Sequence, residues 1–88
     1  MKHRSKIEII ADILESIMSD STMPSSKLTY KAFISYSQLK EYIPLLLQNE
    51  LIKYGNKERT FMITNRGKHL LDMYNRLPEF VERPIRIS

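Results

Sequence analysis

Eighty-eight residues suffice for one domain and leave no length for a second core. The chain is 42% hydrophobic and 27% charged and has no cysteine, which excludes disulfides, thiolate catalysis and cysteine-ligated zinc. Its net charge of +4 is uneven: residues 35–68 carry six Lys/Arg against three Asp/Glu, a mild pointer to a polyanionic partner.

At the N-terminus, Lys2, Arg4 and Lys6 are followed by Glu8, Asp12 and Glu15, which argues against a secretory signal. Apolar runs are only a few residues long, far short of a membrane span. The expected setting is cytoplasmic and nucleoid-associated, with no membrane partner. So short a chain buries its apolar surface only marginally, so a partner subunit is expected to help.

Ser5 and Glu8 form an S-x-x-E capping box and open the first helix. Ile7, Ile10, Leu14 and Ile17 follow at helical spacing, widened by Ala11 and Met18. Ile9 and Ile13 lie on a second flank, broader than one small core needs, and are expected at a subunit interface. The helix ends near Asp20 in a polar loop containing Pro24. Ser25 or Ser26 is expected to cap a short second helix, about residues 27–33, with Leu28 and Ala32 on its inner face. Ser35 and Gln38 repeat the capping-box pattern and open a third helix toward Asn49, with Leu39, Ile43, Leu46 and Leu47 inward. Pro44 falls inside that helix and predicts a kink or a restart.

Residues 51–54 and 59–64 read as two strands around a turn at Gly55-Asn56, a dipeptide that readily takes positive φ. Phe61 and Ile63 alternate with Thr60, Met62 and Thr64, as one buried face requires. Thr64 then caps a last helix striped by Leu70, Leu71, Tyr74 and Leu77, which Pro78 is expected to end. The domain boundary follows: residues 1–78 form the domain and residues 79–88 an extended or disordered tail. The order helix, helix, turn, helix, strand, turn, strand, helix gives a mostly α, α+β fold, a winged helix-turn-helix. It has three N-terminal helices, a two-stranded hairpin wing and a C-terminal helix.

Three stretches carry a more specific likeness: residues 4–14 (RSKIEIIADIL), residues 28–39 (LTYKAFISYSQL) and residues 61–67 (FMITNRG). Through them, and LLLQNELI at 45–52, the chain resembles the small archaeal winged-helix proteins, a group of predicted transcriptional regulators and dimeric chromosomal proteins. That resemblance implies binding to double-stranded DNA as a homodimer, with the third helix in the major groove, the wing on the phosphates and terminal helices at the dimer contact. Two departures are visible. Glu50 stands where the family usually has glycine, with Asn49 expected to take the left-handed cap conformation instead, and the family's long C-terminal coiled coil is expected to be missing beyond Pro78.

With Leu39 and Ile43 inward, a turn of about 100° per residue places Ser37, Lys40, Glu41 and Pro44 on the outer face of the third helix, with Tyr36 and Gln38 at its flanks. Ser37 and Gln38 can bond bases, Lys40 guanine or phosphate, and Glu41 cytosine N4. Lys53, Asn56, Lys57 and Arg59 surround the wing and suit phosphate contact, as do Lys27 and Lys31 on the second helix. Lys2, His3, Arg4 and Lys6 could form a basic arm. Ile9, Ile13, Leu70, Leu71, Tyr74 and Leu77 are the expected dimer interface. The tyrosines suit cores and interfaces better than base stacking, Tyr36 excepted. His69 and Asp72, at i and i+3, lack a third ligand, so no metal or other cofactor is expected. No triad, phosphate loop or carboxylate pair is present, and no small-molecule effector is evident. The expectation is a sequence-specific regulator and not an enzyme, with a non-specific chromosomal protein or a protein-interaction module as alternatives.

Overall fold

A computed structural model describes residues 4–20 and 23–81, the last three by backbone only. The elements run α1 (Lys6–Met18), β1 (Met23–Pro24), α2 (Ser25–Lys31), α3 (Tyr36–Gln48), β2 (Ile52–Tyr54), β3 (Thr60–Ile63) and α4 (Asn65–Val81). The mostly helical α+β winged-helix expectation therefore holds, with one strand more than expected.

Both capping boxes form. The Ser5 N–H donates to Glu8 Oε1 at 2.7 Å while Ser5 Oγ accepts from the Glu8 N–H at 3.2 Å. Ser35 and Gln38 exchange the same pair of bonds at 3.0 and 3.1 Å. Each box satisfies two of the orphan N–H donors at a helix start and fixes where that helix begins. No such bond starts α2, whose N-cap is Pro24 and not a serine.

Helix α1 packs against α2, β3 and α4 at once. This explains the breadth of its apolar face. Ile9, Ile13, Leu14 and Ile17 are buried, with Ile13, Leu14 and Ile17 wholly sealed, whereas Ile7 and Met18 stay exposed. Ile9 and Ile13, expected at a subunit interface, therefore belong to the monomer's own core, and so does Leu71 of α4, at 2% exposure.

The sheet order is β1-β3-β2, all antiparallel, with Met23 opposite Phe61 and Ile52 opposite Ile63. Strand β1 is two residues long and half proline, so it leaves no alternating pattern to read. Pro24 is tolerated because β1 is an edge strand. The next N–H, from Ser25, continues toward the wing by donating to the Arg59 carbonyl at 2.8 Å. Between β2 and β3 runs a five-residue loop, residues 55–59, in place of a tight Gly-Asn turn. Gly55 N–H donates to the Thr60 carbonyl at 2.9 Å, and Thr60 Oγ1 donates to the Lys57 carbonyl at 2.6 Å. Neither glycine has positive φ; in this loop Arg59 takes it, at 59°. Gly55 is required for a different reason, since a Cβ there would lie 2.4 Å from Thr60 Oγ1. The loop covers Thr60, so Thr60 and Phe61 are both buried and the expected alternation is lost.

Two helices end on left-handed residues that are not glycine. At α3, the Leu51 N–H donates to the Leu46 carbonyl (2.9 Å) and the Glu50 N–H to that of Leu47 (3.0 Å), the two bonds of a Schellman motif. Glu50 itself carries φ 59°, whereas Asn49 stays at −90°, so the cap conformation falls on the glutamate and not on the asparagine. At α2, Phe33 takes φ 54° while the Ile34 N–H donates to the Thr29 carbonyl at 2.9 Å.

The segment Ile63-Thr64-Asn65-Arg66-Gly67 ties α4 to this junction. Thr64 Oγ1 accepts from the Gly67 N–H at 3.0 Å, which caps α4, and donates to the Glu50 carbonyl at 2.7 Å. Gly67 lets the first turn of α4 lie against Leu51, just before β2: a Cβ on it would stand 2.2 Å from the Leu51 carbonyl oxygen.

Neither internal proline interrupts its helix, so α3 does not restart at Pro44 and Pro78 does not end α4. Helix α3 runs unbroken through Pro44, and α4 passes Pro78 and continues to Val81, three residues beyond the expected boundary. Both prolines are exposed. Each proline removes the intrahelical donor to one carbonyl, on Lys40 and Tyr74, while its own ring faces outward. The rest of the expected tail, residues 82–88, lies outside the described residues.

Candidate nucleic-acid interface

Helices α2 and α3 form the helix-turn-helix, and the turn between them is clamped from outside. Arg4 donates to the carbonyls of Ala32 and Phe33 and pairs with Asp12 of α1. Its guanidinium thus holds the turn that carries the strained Phe33, a structural role in place of the expected one in a basic arm. Lys2 and His3 of that arm lie outside the described residues, and Lys6 is exposed at the first turn of α1.

The capping box directs α3 outward with Tyr36, Ser37, Lys40, Glu41 and Pro44 exposed on one side and Leu39, Tyr42 and Leu46 buried on the other. Lys40 Nζ lies 5.5 Å from the centre of the Tyr36 ring, a cation–π contact that holds both side chains over the first turn. Gln38 is half-buried and its carbonyl oxygen accepts from the Ser35 N–H in the cap, while its amide NH2 has no such role there. Ser37 Oγ lies 3.4 Å from Ser35 Oγ and remains exposed.

On the wing, Lys53, Asn56, Lys57 and Arg59 are all exposed. Glu58 shares the tip, so the loop presents two cations and one carboxylate in sequence. Tyr54 is 69% exposed with its ring 5.7 Å from that of Phe61, and Tyr30 and Tyr36 are similarly open, at 62% and 68%. Of the five tyrosines only Tyr42 is fully buried. Tyr30 and Tyr54 therefore lie outside the monomer's core. Arg66, exposed in the first turn of α4, lines one hollow with Lys53 and Tyr54. Arg66 is not among the expected contacts, although its place two residues after the Thr64 cap is a usable signal.

The two lysines of α2 diverge. Lys27 is half-buried with its Nζ 3.9 Å from Asp20. Lys31 is exposed but borders a cleft shared with Asp12 and Glu15 of α1, an acidic neighbourhood unsuited to phosphate. Of the expected subunit-contact residues, Leu70 and Tyr74 are half-buried and Leu77 is 47% exposed. Met73, at 52%, lies on the same helix and was not anticipated. Among the described residues no helix is long and apolar enough to cross a membrane.

Comparison with known proteins agrees with this geometry. The structure is similar to the crystal structure of Sso10a-2, a DNA-binding protein from Sulfolobus solfataricus, with a TM-score of 0.70 and 22% sequence identity over 88% of this chain and 84% of that one. No curated protein matches the sequence. A family model described as winged helix-turn-helix matches residues 3–82, nearly the whole chain. The chain belongs to the winged helix-turn-helix family.

Proposed function

We propose that this protein is a sequence-specific, double-stranded-DNA-binding transcriptional regulator that acts as a homodimer. The observation that carries this reading is the outer face of α3. A capped helix start presents Tyr36, Ser37, Lys40 and Glu41 together, and exposed Lys57 and Arg59 stand on the neighbouring wing. Residues at the start of the second helix of a helix-turn-helix are those that reach base edges, while wing cations suit phosphates. The likeness to a DNA-binding protein supports the partner class. Leu77 and Met73, exposed apolar side chains on α4, support pairing of two copies through that helix.

Two features weigh on the alternatives. A purely phosphate-driven chromosomal protein gains nothing from an exposed Glu41 on the face that meets DNA. Pro44 on the reading helix is the feature that best fits a protein-interaction module, and α3 is continuous through it.

The test is fluorescence anisotropy on random duplex and on DNA from upstream of the chain's own gene, at about 50 to 200 mM salt. Tighter binding to the upstream DNA that survives added salt is the expected result. Equal affinities that fall together with salt would favour the chromosomal reading, and absence of binding at low salt would refute DNA as the partner.

A further inference from the structure

The outer face of α3 borders a groove that the polar reading of that face leaves unused. Its floor is Leu39 and Phe61, at 7% and 5% exposure, and its sides are Tyr36, Ile43 and Pro44, with Lys40 at the rim. It opens between the reading helix and strand β3 of the wing, on the side where Tyr36, Lys40 and Pro44 are exposed. Among the described residues no carboxylate lines it, and its polar groups are Lys40 and the hydroxyls of Ser25 and Tyr36. The groove therefore offers apolar contact from Leu39, Ile43, Pro44 and Phe61, with those three polar groups beside it.

We infer that this groove receives the C5 methyl group of thymine, making Tyr36, Ile43 and Pro44 determinants of a preference for A·T pairs beside the α3 start. This rests on the DNA-binding reading above and adds a mode of discrimination to it. The major-groove edge of a duplex carries one apolar group, the thymine methyl, and an apolar pocket tells it from every other edge without a hydrogen bond. Lys40 at the rim complements the phosphate charge beside the same pyrimidine. The cation–π contact with Lys40, worth about 0.5–1 kcal/mol at an exposed site, favours this position of the Tyr36 ring.

The experiment uses the full chain and two pairs of duplexes. One pair is an alternating A·T duplex and its uracil counterpart, which lacks only the methyl groups. The other is a G·C duplex with cytosine or with 5-methylcytosine, which adds a methyl at the same ring position. Burying one methyl is worth about 0.8 kcal/mol, or about fourfold in affinity. The uracil duplex is thus expected to bind at least about fourfold more weakly, and 5-methylcytosine to strengthen binding in the same proportion. Tyr36→Ala and Pro44→Ala, both at exposed positions, should bring the thymine-to-uracil ratio toward one. Lys57→Ala should weaken both duplexes and keep the ratio. Equal affinity for thymine and uracil DNA would overturn the inference while leaving DNA binding in place. So would a ratio that survives both groove substitutions. No binding to any of the four duplexes would overturn the DNA reading itself.

Discussion

Replacing Gly67 with alanine tests the junction of α3, β2 and α4 by the sign of its effect. On an exposed helix, glycine to alanine gains about 1 kcal/mol from helix propensity alone. Gly67 has no positive φ that would forbid the change. The obstacle is space: the new Cβ would stand 2.2 Å from the Leu51 carbonyl oxygen and 2.8 Å from Ile63 Cγ1. Carbon and carbonyl oxygen approach no closer than about 3.3 Å, so the first turn of α4 must move by about 1 Å. That movement stretches the Thr64 N–H bond to Leu51 (3.1 Å) and the Thr64 hydroxyl bond to Glu50 (2.7 Å). Overpacking costs about 1–3 kcal/mol and weakening the two bonds together about 1 kcal/mol, which exceeds the propensity gain. The expected net loss is about 2 kcal/mol, from a total that for a domain of this size is about 4–13 kcal/mol. Urea unfolding followed by circular dichroism measures it as a lower midpoint at unchanged slope, and thermal melting as a drop of about 8–16 °C. A variant as stable as the parent, or more so, would refute the close-approach argument.

Other perturbations separate the roles assigned above. Thr64→Ala loses the α4 cap and the tie to Glu50 and should cost about 1–2 kcal/mol in urea unfolding, with most of it restored in Thr64→Ser. Glu50→Gly relieves a left-handed glutamate and should raise stability by about 1 kcal/mol, whereas Asn49→Gly should not, because Asn49 has ordinary φ. Ile13→Ala empties a fully buried site and should cost about 2–5 kcal/mol, with a loss independent of protein concentration since Ile13 faces the monomer core and not a second subunit. Lys57→Ala and Arg59→Ala should each weaken binding to every duplex and lower the salt slope by about one, whereas Ser37→Ala or Lys40→Ala should alter the preferred sequence.

What could be read from the chain and what could not divide along physical lines. Signals that act within one turn of backbone were legible. Ser5 with Glu8, Ser35 with Gln38, and Thr64 each cap the helix they were expected to cap, because a side chain reaching its own N3 amide depends on nothing distant. Features decided by tertiary surroundings were not. Strand β1 exists because β3 lies beside it, and a Met-Pro pair has no period to betray it. The left-handed positions fell on Phe33, Glu50 and Arg59 in place of asparagine or glycine, since the crossing of the elements fixes where the chain must reverse. Pro44 and Pro78 remain within helices because each faces outward. The broad apolar face of α1 suggested a second subunit, but α2, β3 and α4 together cover it. In the candidate site the outward set Tyr36, Ser37, Lys40, Glu41 and Pro44 followed from helical spacing. The groove beside it did not, because Phe61 comes from a strand and lies 25 residues beyond Tyr36, that helix's start.

The central claim, that the exposed face of α3 reads base sequence, is tested most directly by selecting bound duplexes from a random pool and sequencing them, with the parent chain and Lys40→Ala in parallel. The account predicts an enriched, two-fold symmetric motif for the parent, with half-sites about one helical turn apart, and an altered motif for the variant at positions within each half-site. A pool that binds but shows no enrichment, or a motif that Lys40→Ala leaves unchanged together with Ser37→Ala and Tyr36→Ala, would contradict it.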